Sequence, residues 1–381
     1  MRIALYCPNK PLTHPHPSGD LAIAQGIHST LNRLGHDCRE IVQFRSRWFW
    51  ETRAGWVGAC RAWIDAWRSA RAFKPQIWLS YHTYYKSPDI IGPWIAGLMH
   101  LPYAIFQPMY ATRRRKSSAT SLGFGLNRWA ILRACHVFTN NTLDLAALRR
   151  ILPAQRITYL APGICPEEFQ RDPSSRRALR EQLQIPQDEF LILTAARWRE
   201  GVKTQSFLHL LRALVKLRAL MPAFTLVVVG DGPMEPHLRS LAVRELPGHV
   251  VFAGRVPRPE MFRFYGAADV FAFPGIGESL GMVFLEAQSC GVPVVALDTA
   301  GVPQVVVNGE TGILVPMDDG DAMARAIEHL GRDPEARRAL GSAGARFVRD
   351  ERNLHKNYLR LARELTSLVR GGREQRSTSP N

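Results

Sequence analysis

Short, continuous apolar runs alternate along the chain with longer segments in which apolar residues recur every three or four positions. The runs predict buried strands and the spaced segments predict helices. The predicted strands are 2–7, 37–44, 76–80, 103–106, 190–194, 224–229, 250–252, 270–273 and 294–296, and the predicted helices are 21–34, 206–220, 234–242, 259–267, 280–289 and 322–330. Strands alternating with helices indicate parallel sheets covered by helices on both faces, so the predicted fold class is α/β.

The same strand and helix pattern occurs twice in a chain of 381 residues, a length that suits two domains better than one core. We predict two Rossmann-like domains, an N-terminal one at 1–165 and a C-terminal one at 166–348. Residues 349–370 are predicted to form a helix that packs back on the N-terminal domain. The polar residues 371–381 are predicted to be a disordered tail. Two such domains would leave a cleft between them.

Composition and cysteine usage predict a folded cytoplasmic protein. Apolar residues make up 46% of the chain and charged residues 22%, which excludes a largely disordered protein. The six cysteines are scattered, without a CxxC pair or the spacing of metal ligands, and we interpret them as reduced thiols. The run 2–7 is too short for a signal peptide. The apolar stretch 90–106 contains two prolines and falls short of the roughly 20 residues that a membrane span needs.

Positive charge is concentrated in the N-terminal part. Residues 1–165 contain 21 Lys and Arg against 7 Asp and Glu, a net charge of +14 out of +16 for the whole chain. A one-sided positive field attracts phosphate-rich surfaces, such as anionic bilayers or nucleic acid. No helix-turn-helix, zinc-finger or RNA-recognition motif is present, so we predict no nucleic-acid partner. An anionic membrane surface on the cytoplasmic side remains as the expected partner of this charge.

A tryptophan-rich segment lies within the positive part. Four of its side chains share one stripe of a predicted helix flanked by arginines: Trp56, Cys60, Trp63 and Trp67. Aromatic and basic residues on an amphipathic helix suit a bilayer interface, but the same stripe can pack in the domain core, and both interpretations remain open. The run Arg113–Lys116 is equally open between a phosphate-binding patch and a solvated loop.

Candidate chemistry is concentrated at residues 273–287, where a strand end is followed by a glycine-rich turn and the start of a helix. Such a turn presents unpaired backbone N–H groups at the carboxyl edge of a parallel sheet and suits phosphate. Glu278 lies in the turn and Glu286 follows about two helical turns later. Carboxylate oxygens accept hydrogen bonds from sugar and ribose hydroxyls. Two glutamates at this spacing also occur on solvated helix faces, so the pair alone decides nothing.

This block resembles the signature of retaining glycosyltransferase family four, in which a proline at the strand end is followed by Glu-x(7)-Glu and a Gly-Val-Pro-Val-Val strand. Other segments similar to the family are 229–233, 254–257, 267–270 and 308–315. The resemblance covers residues 190–316 almost continuously and, more weakly, the first 40 residues. It implies the GT-B fold, with two Rossmann-like domains facing across a cleft, and transfer of a sugar from a nucleotide-sugar with retention of configuration.

The resemblance implies roles for the residues that match the family's motifs. Glu278 would hold the donor sugar, Glu286 the nucleotide ribose, and the amides of the turn the diphosphate. The residues assigned to donor binding are Gly19, Asp231, Arg255, Val256, Gly281, Met282, Val283 and Glu286. The residues assigned to catalysis are Glu278, Arg197, Lys203 and His82.

Three positions depart from the family pattern. The family places a lysine five residues after the arginine, but here Lys203 follows Arg197 by six, so either Lys203 reaches through a shifted loop or Arg199 substitutes. A histidine is expected where Gln107 stands, and His82 is the nearest substitute, although a lone histidine is more often structural. Gly19 stands alone where the family carries a glycine pair.

The resemblance implies front-face substitution, in which the leaving diphosphate takes the acceptor proton while Arg197, Lys203 and backbone amides neutralise its charge. We therefore expect no metal and no other cofactor. The expected partners are a UDP- or GDP-sugar and a glycan or lipid-linked acceptor. Two alternatives remain open, which are a nucleotide-sugar-binding scaffold without turnover and a nucleotide-sugar epimerase of the same fold.

Overall fold

The computed structural model describes residues 1–15 and 19–377, and the side chains as far as residue 371. The chain divides into two compact units. The first contains Met1–Ala161 together with the chain from Leu354 onward, and the second contains Pro162–Asn353. We call them the N-terminal and C-terminal domains. The change of domain falls at Pro162, four residues before the predicted boundary.

The N-terminal domain contains a six-stranded parallel sheet in the order β2-β1-β3-β4-β5-β6. Its strands are β1 (Arg2–Tyr6), β2 (Asp37–Val42), β3 (Ile77–Tyr81), β4 (Tyr103–Phe106), β5 (His136–Thr139) and β6 (Ile157–Tyr159). Its helices are α1 (Gly19–Arg33), α2 (Arg53–Phe73), α3 (Gly92–Leu98), α4 (Ser118–Arg133), α5 (Thr142–Leu148) and, at the end of the chain, α13 (Leu354–Ser377). Strands β3, β4 and β5 are buried along their whole length, because helices cover both faces of the sheet.

The C-terminal domain repeats this architecture with a sheet in the order β12-β11-β10-β7-β8-β9. Its strands are β7 (Phe190–Ala195), β8 (Phe224–Val229), β9 (Val250–Gly254), β10 (Val270–Ala272), β11 (Val294–Leu297) and β12 (Gly312–Val315). Its helices are α6 (Pro173–Gln182), α7 (Val202–Leu220), α8 (Glu235–Glu245), α9 (Met261–Ala267), α10 (Met282–Ser289), α11 (Ala322–Arg332) and α12 (Pro334–Glu351). All recorded strand pairs of this sheet are parallel, so the predicted α/β class is confirmed.

The C-terminal end of the chain differs from the prediction. Residue 349, the predicted start of a separate helix, lies inside α12, whose first turn is capped by Asp333. The chain then continues into α13, which packs on α1 around Gly26. This helix runs to Ser377, so residues 371–377 are helical where a disordered tail was predicted. Arginine, glutamate and glutamine in this stretch are good helix formers and extend a helix that is already nucleated. The rest of the predicted tail lies outside the described residues.

Candidate functional site

The strand order of the C-terminal sheet reverses between β7 and β10, because the chain adds β8 and β9 on one side of β7 and then β10 on the other. Strands β7 and β10 pair through Ile192 and Val270. Ligands of open α/β sheets bind at such a switch point, outside the carboxyl ends of the strands. The loop after β7 carries Arg197, and the turn after β10 carries Glu278. The tertiary structure therefore brings together two segments that are about 80 residues apart in the sequence.

Lys203 and Glu278 form an ion pair at this switch point. Helix α7 begins at Val202, four residues before the predicted start, so Lys203 lies in its first turn. The Lys203 ammonium also lies 5.0 Å from the centre of the Phe273 ring. Burial lowers the pKa of Lys203 to about 8, and the positive charge of Arg199 acts in the same direction. The Glu278 carboxylate beside it favours the charged form.

The alternative assignment of Arg199 is less favoured by this geometry. Arg199 is exposed in the loop, and its backbone carbonyl accepts a hydrogen bond from the Thr204 hydroxyl at 2.8 Å. Lys203 is the residue that contacts Glu278, and it does so although the lysine is displaced by one position from the family's spacing.

Helix α10 begins at the same edge, directly after the turn that holds Glu278. Gly281 precedes the helix with φ 59° and ψ 49°, in the left-handed region. A Cβ atom at this position would lie 2.5 Å from the Phe284 ring, so only glycine fits without a shift. The first amides of a helix, here Met282 and Val283, have no intrahelical acceptor. They can donate to a phosphate at the positive end of the helix dipole.

Trp198 fixes the two loops that carry Arg197 and Asp231. Its side chain is completely buried, and its backbone amide donates to the Asp231 carbonyl at 2.9 Å. Gly230 permits the close approach, because a Cβ there would lie 1.8 Å from the Ala196 carbonyl oxygen. The side chains of Arg197 and Asp231 remain exposed at the carboxyl edge of the sheet. Sequence reasoning missed Trp198, because nothing in the local pattern distinguishes it from any other aromatic residue between two arginines.

Glu286, assigned from the resemblance to the nucleotide ribose, already holds two hydrogen-bond donors. Arg258 donates from Nη1 to Oε1 at 2.5 Å, and the Tyr265 hydroxyl donates to Oε2 at 2.9 Å. Burial raises the pKa of Glu286, while the Arg258 guanidinium acts in the opposite direction. Arg255 and Val256 precede Arg258 in the loop after β9. Sequence reasoning missed Arg258 and Tyr265, since no pattern separates them from a surface arginine and a core tyrosine.

The predicted residues of the N-terminal domain lie at the carboxyl edge of its own sheet. Gly19 is the first residue of α1, and His82 follows β3 with a left-handed φ of 57°. The His82 side chain is buried, and its Nδ1 lies 3.9 Å from Oδ1 of Asp20, too far for a hydrogen bond. Among the described residues this Nδ1 has no hydrogen-bond partner. Gln107 also has a left-handed φ, of 58°, and accepts a hydrogen bond from the Tyr81 hydroxyl at 3.1 Å.

Helix α2 resolves part of the question about the tryptophan stripe. Its buried side consists of small residues, namely Ala59, Ala62, Ala66 and Ala70. Trp63 and Trp67 are half-buried and stack on each other with ring centres 6.3 Å apart. Trp56 is 51% exposed and Ile64 is 45% exposed. The stripe thus lies at the margin of the core, with its N-terminal end facing solvent. Within the described part of the chain, no helix is long and apolar enough to span a membrane.

Potential metal ligands are dispersed. Across residues 1–15 and 19–377 no group of three His, Cys, Asp or Glu side chains is arranged to hold a metal ion. Asp319 and Asp321 stand two positions apart, but Asp319 accepts hydrogen bonds from the first amides of α11 and Asp321 pairs with Lys216. The Asp319 carboxylate therefore stabilises the start of α11, and the Asp321 carboxylate links that start to α7.

Solved structures define the class of the fold. The structure of Anabaena HepE in complex with UDP has a TM-score of 0.77 with this chain, at 18% identity, and the match covers 96% of this chain and 100% of that one. A glycosyltransferase from Rickettsia africae has a TM-score of 0.75 at 14% identity, over 97% of this chain and 98% of that one. The chain therefore has the two-domain α/β fold of the GT-B glycosyltransferases.

The family resemblance is carried by the C-terminal domain. Residues 175–347 match the family described as Glycosyl transferases group 1, which confirms the resemblance stated from the sequence. The chain is 36% identical over 234 residues to a GDP-mannose-dependent alpha-(1-6)-phosphatidylinositol monomannoside mannosyltransferase from Mycolicibacterium smegmatis. That alignment covers 59% of this chain and 59% of the relative. The chain thus spans less than two thirds of the length of this curated relative.

Proposed function

We propose that this protein is a glycosyltransferase that moves a sugar from a nucleotide-sugar to a lipid-linked or cell-surface glycan acceptor. The observation that carries the proposal is the Lys203–Glu278 pair beside the N-terminus of α10. The pair lies at the switch point of the C-terminal sheet, within the residues 175–347 that match the group 1 family. A cation, a helix N-terminus and a sugar-binding carboxylate are the groups that a sugar diphosphate requires. GDP-mannose and UDP-glucose are the first donors to test, since the names of similar proteins include GDP-mannose and UDP-glucose.

Retention of configuration through front-face substitution is part of this proposal. Lys203 and Arg197 would stabilise the negative charge that develops on the leaving diphosphate, together with the amides of Met282 and Val283. An oxygen of that diphosphate would take the proton of the attacking hydroxyl, and Glu278 would orient the donor sugar. Two cations and a helix N-terminus supply the charge that a divalent metal supplies in other transferases, so we propose metal-independent transfer.

A lipid-linked acceptor is favoured by the surface of the N-terminal domain. Exposed apolar side chains on α2 stand beside Arg61 and Arg68, which are also exposed. The run Arg113–Lys116 forms a short 3-10 helix, and Arg114 lies over the Tyr85 ring at 4.7 Å. Apolar groups that enter a bilayer and arginines that meet lipid phosphate together give peripheral attachment. We propose that the protein binds an anionic membrane surface through this domain.

Release of nucleoside diphosphate tests the proposed activity. We expect wild-type protein to release GDP or UDP slowly from one donor, and Glu278→Gln to be roughly 100- to 1,000-fold slower, as for loss of a transition-state contact. Glu335→Gln, at an exposed position in α12, is the matched control and should behave as wild type. Product from added phosphatidylinositol mannoside would support a lipid acceptor. Tight nucleotide-sugar binding without release would instead indicate a scaffold, and conversion of the donor without an acceptor would indicate an epimerase.

A further inference from the structure

Glu286 is surrounded by more charged and hydrogen-bonding side chains than ribose binding alone requires. The carboxylate is buried on α10, and its neighbours come from three other segments. Arg258 lies in the loop after β9, Tyr265 lies on α9, and Glu168 precedes α6. Arg258 reaches Glu286 at 2.5 Å and Glu168 at 3.3 Å, and its guanidinium stacks on the Phe169 ring at 4.9 Å. Arg258 is therefore fixed from two sides.

A buried carboxylate must be paired to stay ionised, because burial disfavours the charged form. The groups that act on Glu286 are the positive Arg258, the hydrogen-bonding Tyr265 hydroxyl and the negative Glu168. Cys290 directly follows α10, and burial and Glu286 together raise the pKa of its thiol to about 12, so it stays neutral. Arg258 is thus the one positive group in direct contact with Glu286 among the described residues.

The two hydrogen bonds to Glu286 leave acceptor positions on its carboxylate that a diol could use. An ionised carboxylate offers about four lone-pair sites, two on each oxygen. Arg258 occupies a site on Oε1 and Tyr265 a site on Oε2, so each oxygen keeps a free site. Two neighbouring hydroxyls of a ribose ring match two free sites on adjacent oxygens. A protonated carboxyl would lose this match, because one oxygen would then carry a proton.

We propose that Arg258 and Tyr265 are positioning residues, which hold the Glu286 carboxylate ionised and oriented so that both of its oxygens accept from the nucleotide ribose. This inference rests on the proposed function, because it assigns the ribose to Glu286. It adds that the loop after β9 tunes donor affinity through a carboxylate on another element. Without Arg258 the pKa of Glu286 rises, and nucleotide affinity becomes dependent on pH near neutrality.

The test compares donor affinity across pH in matched variants. Binding of the donor identified in the release assay is measured by calorimetry from about pH 5.5 to about pH 9 for wild type, Arg258→Ala, Arg258→Lys and Tyr265→Phe. At about pH 6 we expect Arg258→Ala to bind roughly tenfold more weakly than wild type, with the ratio approaching one as pH rises and Glu286 ionises. Taking the ratio at each pH cancels the titration of Lys203 and of the donor.

Two controls separate positioning from general damage. Arg263→Ala removes an arginine from α9 that pairs with Glu260 rather than Glu286, and its ratio should stay at one. Glu286→Gln imitates the protonated carboxyl, so it should bind weakly, and adding Arg258→Ala to it should produce no further dependence on pH. Where Arg258→Ala does not fold, Arg258→Lys and Tyr265→Phe should show the same trend with a smaller amplitude.

If the donor affinity of Arg258→Ala relative to wild type does not change with pH, the inference is overturned, whatever the size of that ratio. Tighter binding by Arg258→Ala would also overturn it, because Arg258 would then compete with the ribose for Glu286. Failure of the wild type to bind any nucleotide-sugar is a distinct result, since it removes the proposed function itself and the inference with it.

Discussion

The carboxyl edges of the two sheets are built differently. In the C-terminal domain the acidic groups are paired, Glu278 with Lys203 and Glu286 with Arg258 and Tyr265, and Trp198 locks two loops together. In the N-terminal domain the buried Nδ1 of the candidate site residue His82 has no hydrogen-bond partner within the described residues, and in the C-terminal domain the same holds for Nε1 of the structural residue Trp198. His82 and Gln107 both have left-handed backbones there, a conformation that costs energy and is concentrated at functional sites.

This difference is consistent with the proposed function, in which one edge binds the donor and the other binds the acceptor. A nucleotide diphosphate is the same in every donor of a class, so its site can be preorganised with fixed charges and a rigid loop. In the proposed function the acceptor varies from one enzyme to the next, and a buried nitrogen without a protein partner, such as Nδ1 of His82, is available to a ligand or to water. The paired edge matches a known family over residues 175–347 and departs from its pattern at Lys203, whereas the N-terminal edge departs from the pattern at Gly19 and at Gln107.

Tryptophan substitutions give the largest expected contrast between the two regions. Trp198→Ala should lower the free energy of unfolding by about 3–5 kcal/mol, because a completely buried ring is lost from the C-terminal core. Trp56→Ala, at a half-exposed position on α2, should cost less than about 1 kcal/mol. Urea unfolding followed by circular dichroism measures both. Equal losses would mean that α2 is more tightly packed than its exposure indicates.

The pH dependence of donor binding should show the contribution of the positive charge of Lys203 in the C-terminal domain. Because burial lowers the pKa of Lys203 to about 8, its ammonium loses its charge as pH rises through that value. Donor affinity should then fall by up to roughly tenfold between about pH 7.5 and about pH 9.5, since one pKa unit corresponds to about 1.4 kcal/mol. Lys203→Arg keeps its charge at every accessible pH and should bind without this decline. An unchanged decline in Lys203→Arg would assign it to another group.

Vesicle binding should depend on side chains of the N-terminal domain and not on those of the C-terminal domain. Arg61→Ala should weaken binding to phosphatidylserine vesicles about fivefold, since a basic residue near an anionic surface contributes about 1 kcal/mol. Trp56→Ala should weaken it as well, because binding increases with the apolar area that enters the interface. Arg239→Ala on α8 is the matched control, and nucleotide affinity should be unchanged in all three variants. Cosedimentation at low salt measures the effect. Equal loss in the control would indicate a response to total charge.

Much of the donor side could be predicted from the sequence, because its residues are close together along the chain. The strand, the glycine turn and the start of a helix at 270–289 were all predicted, and Gly281 stands at the helix start as the motif requires. Strands β5 and β6 were missed because His136, Thr139 and Thr158 interrupt their apolar runs, whereas the equally short β4 and β10 are apolar throughout. The roles assigned to Glu278, Lys203 and His82 stay predictions until variants are measured.

The sequence by itself determined the α/β class, the two domains and the resemblance to the group 1 family, because hydrophobic periodicity and a local motif need no knowledge of distant contacts. Only the tertiary structure decided which side chains pair. Lys203 meets Glu278 because β7 and β10 are neighbours in the sheet, and Arg258 meets Glu286 because the loop after β9 returns to α10. Likewise, the exposed end of the tryptophan stripe follows from the alanine face that α2 buries. Such pairings depend on the order of strands and on helix packing, and neither is encoded in local spacing.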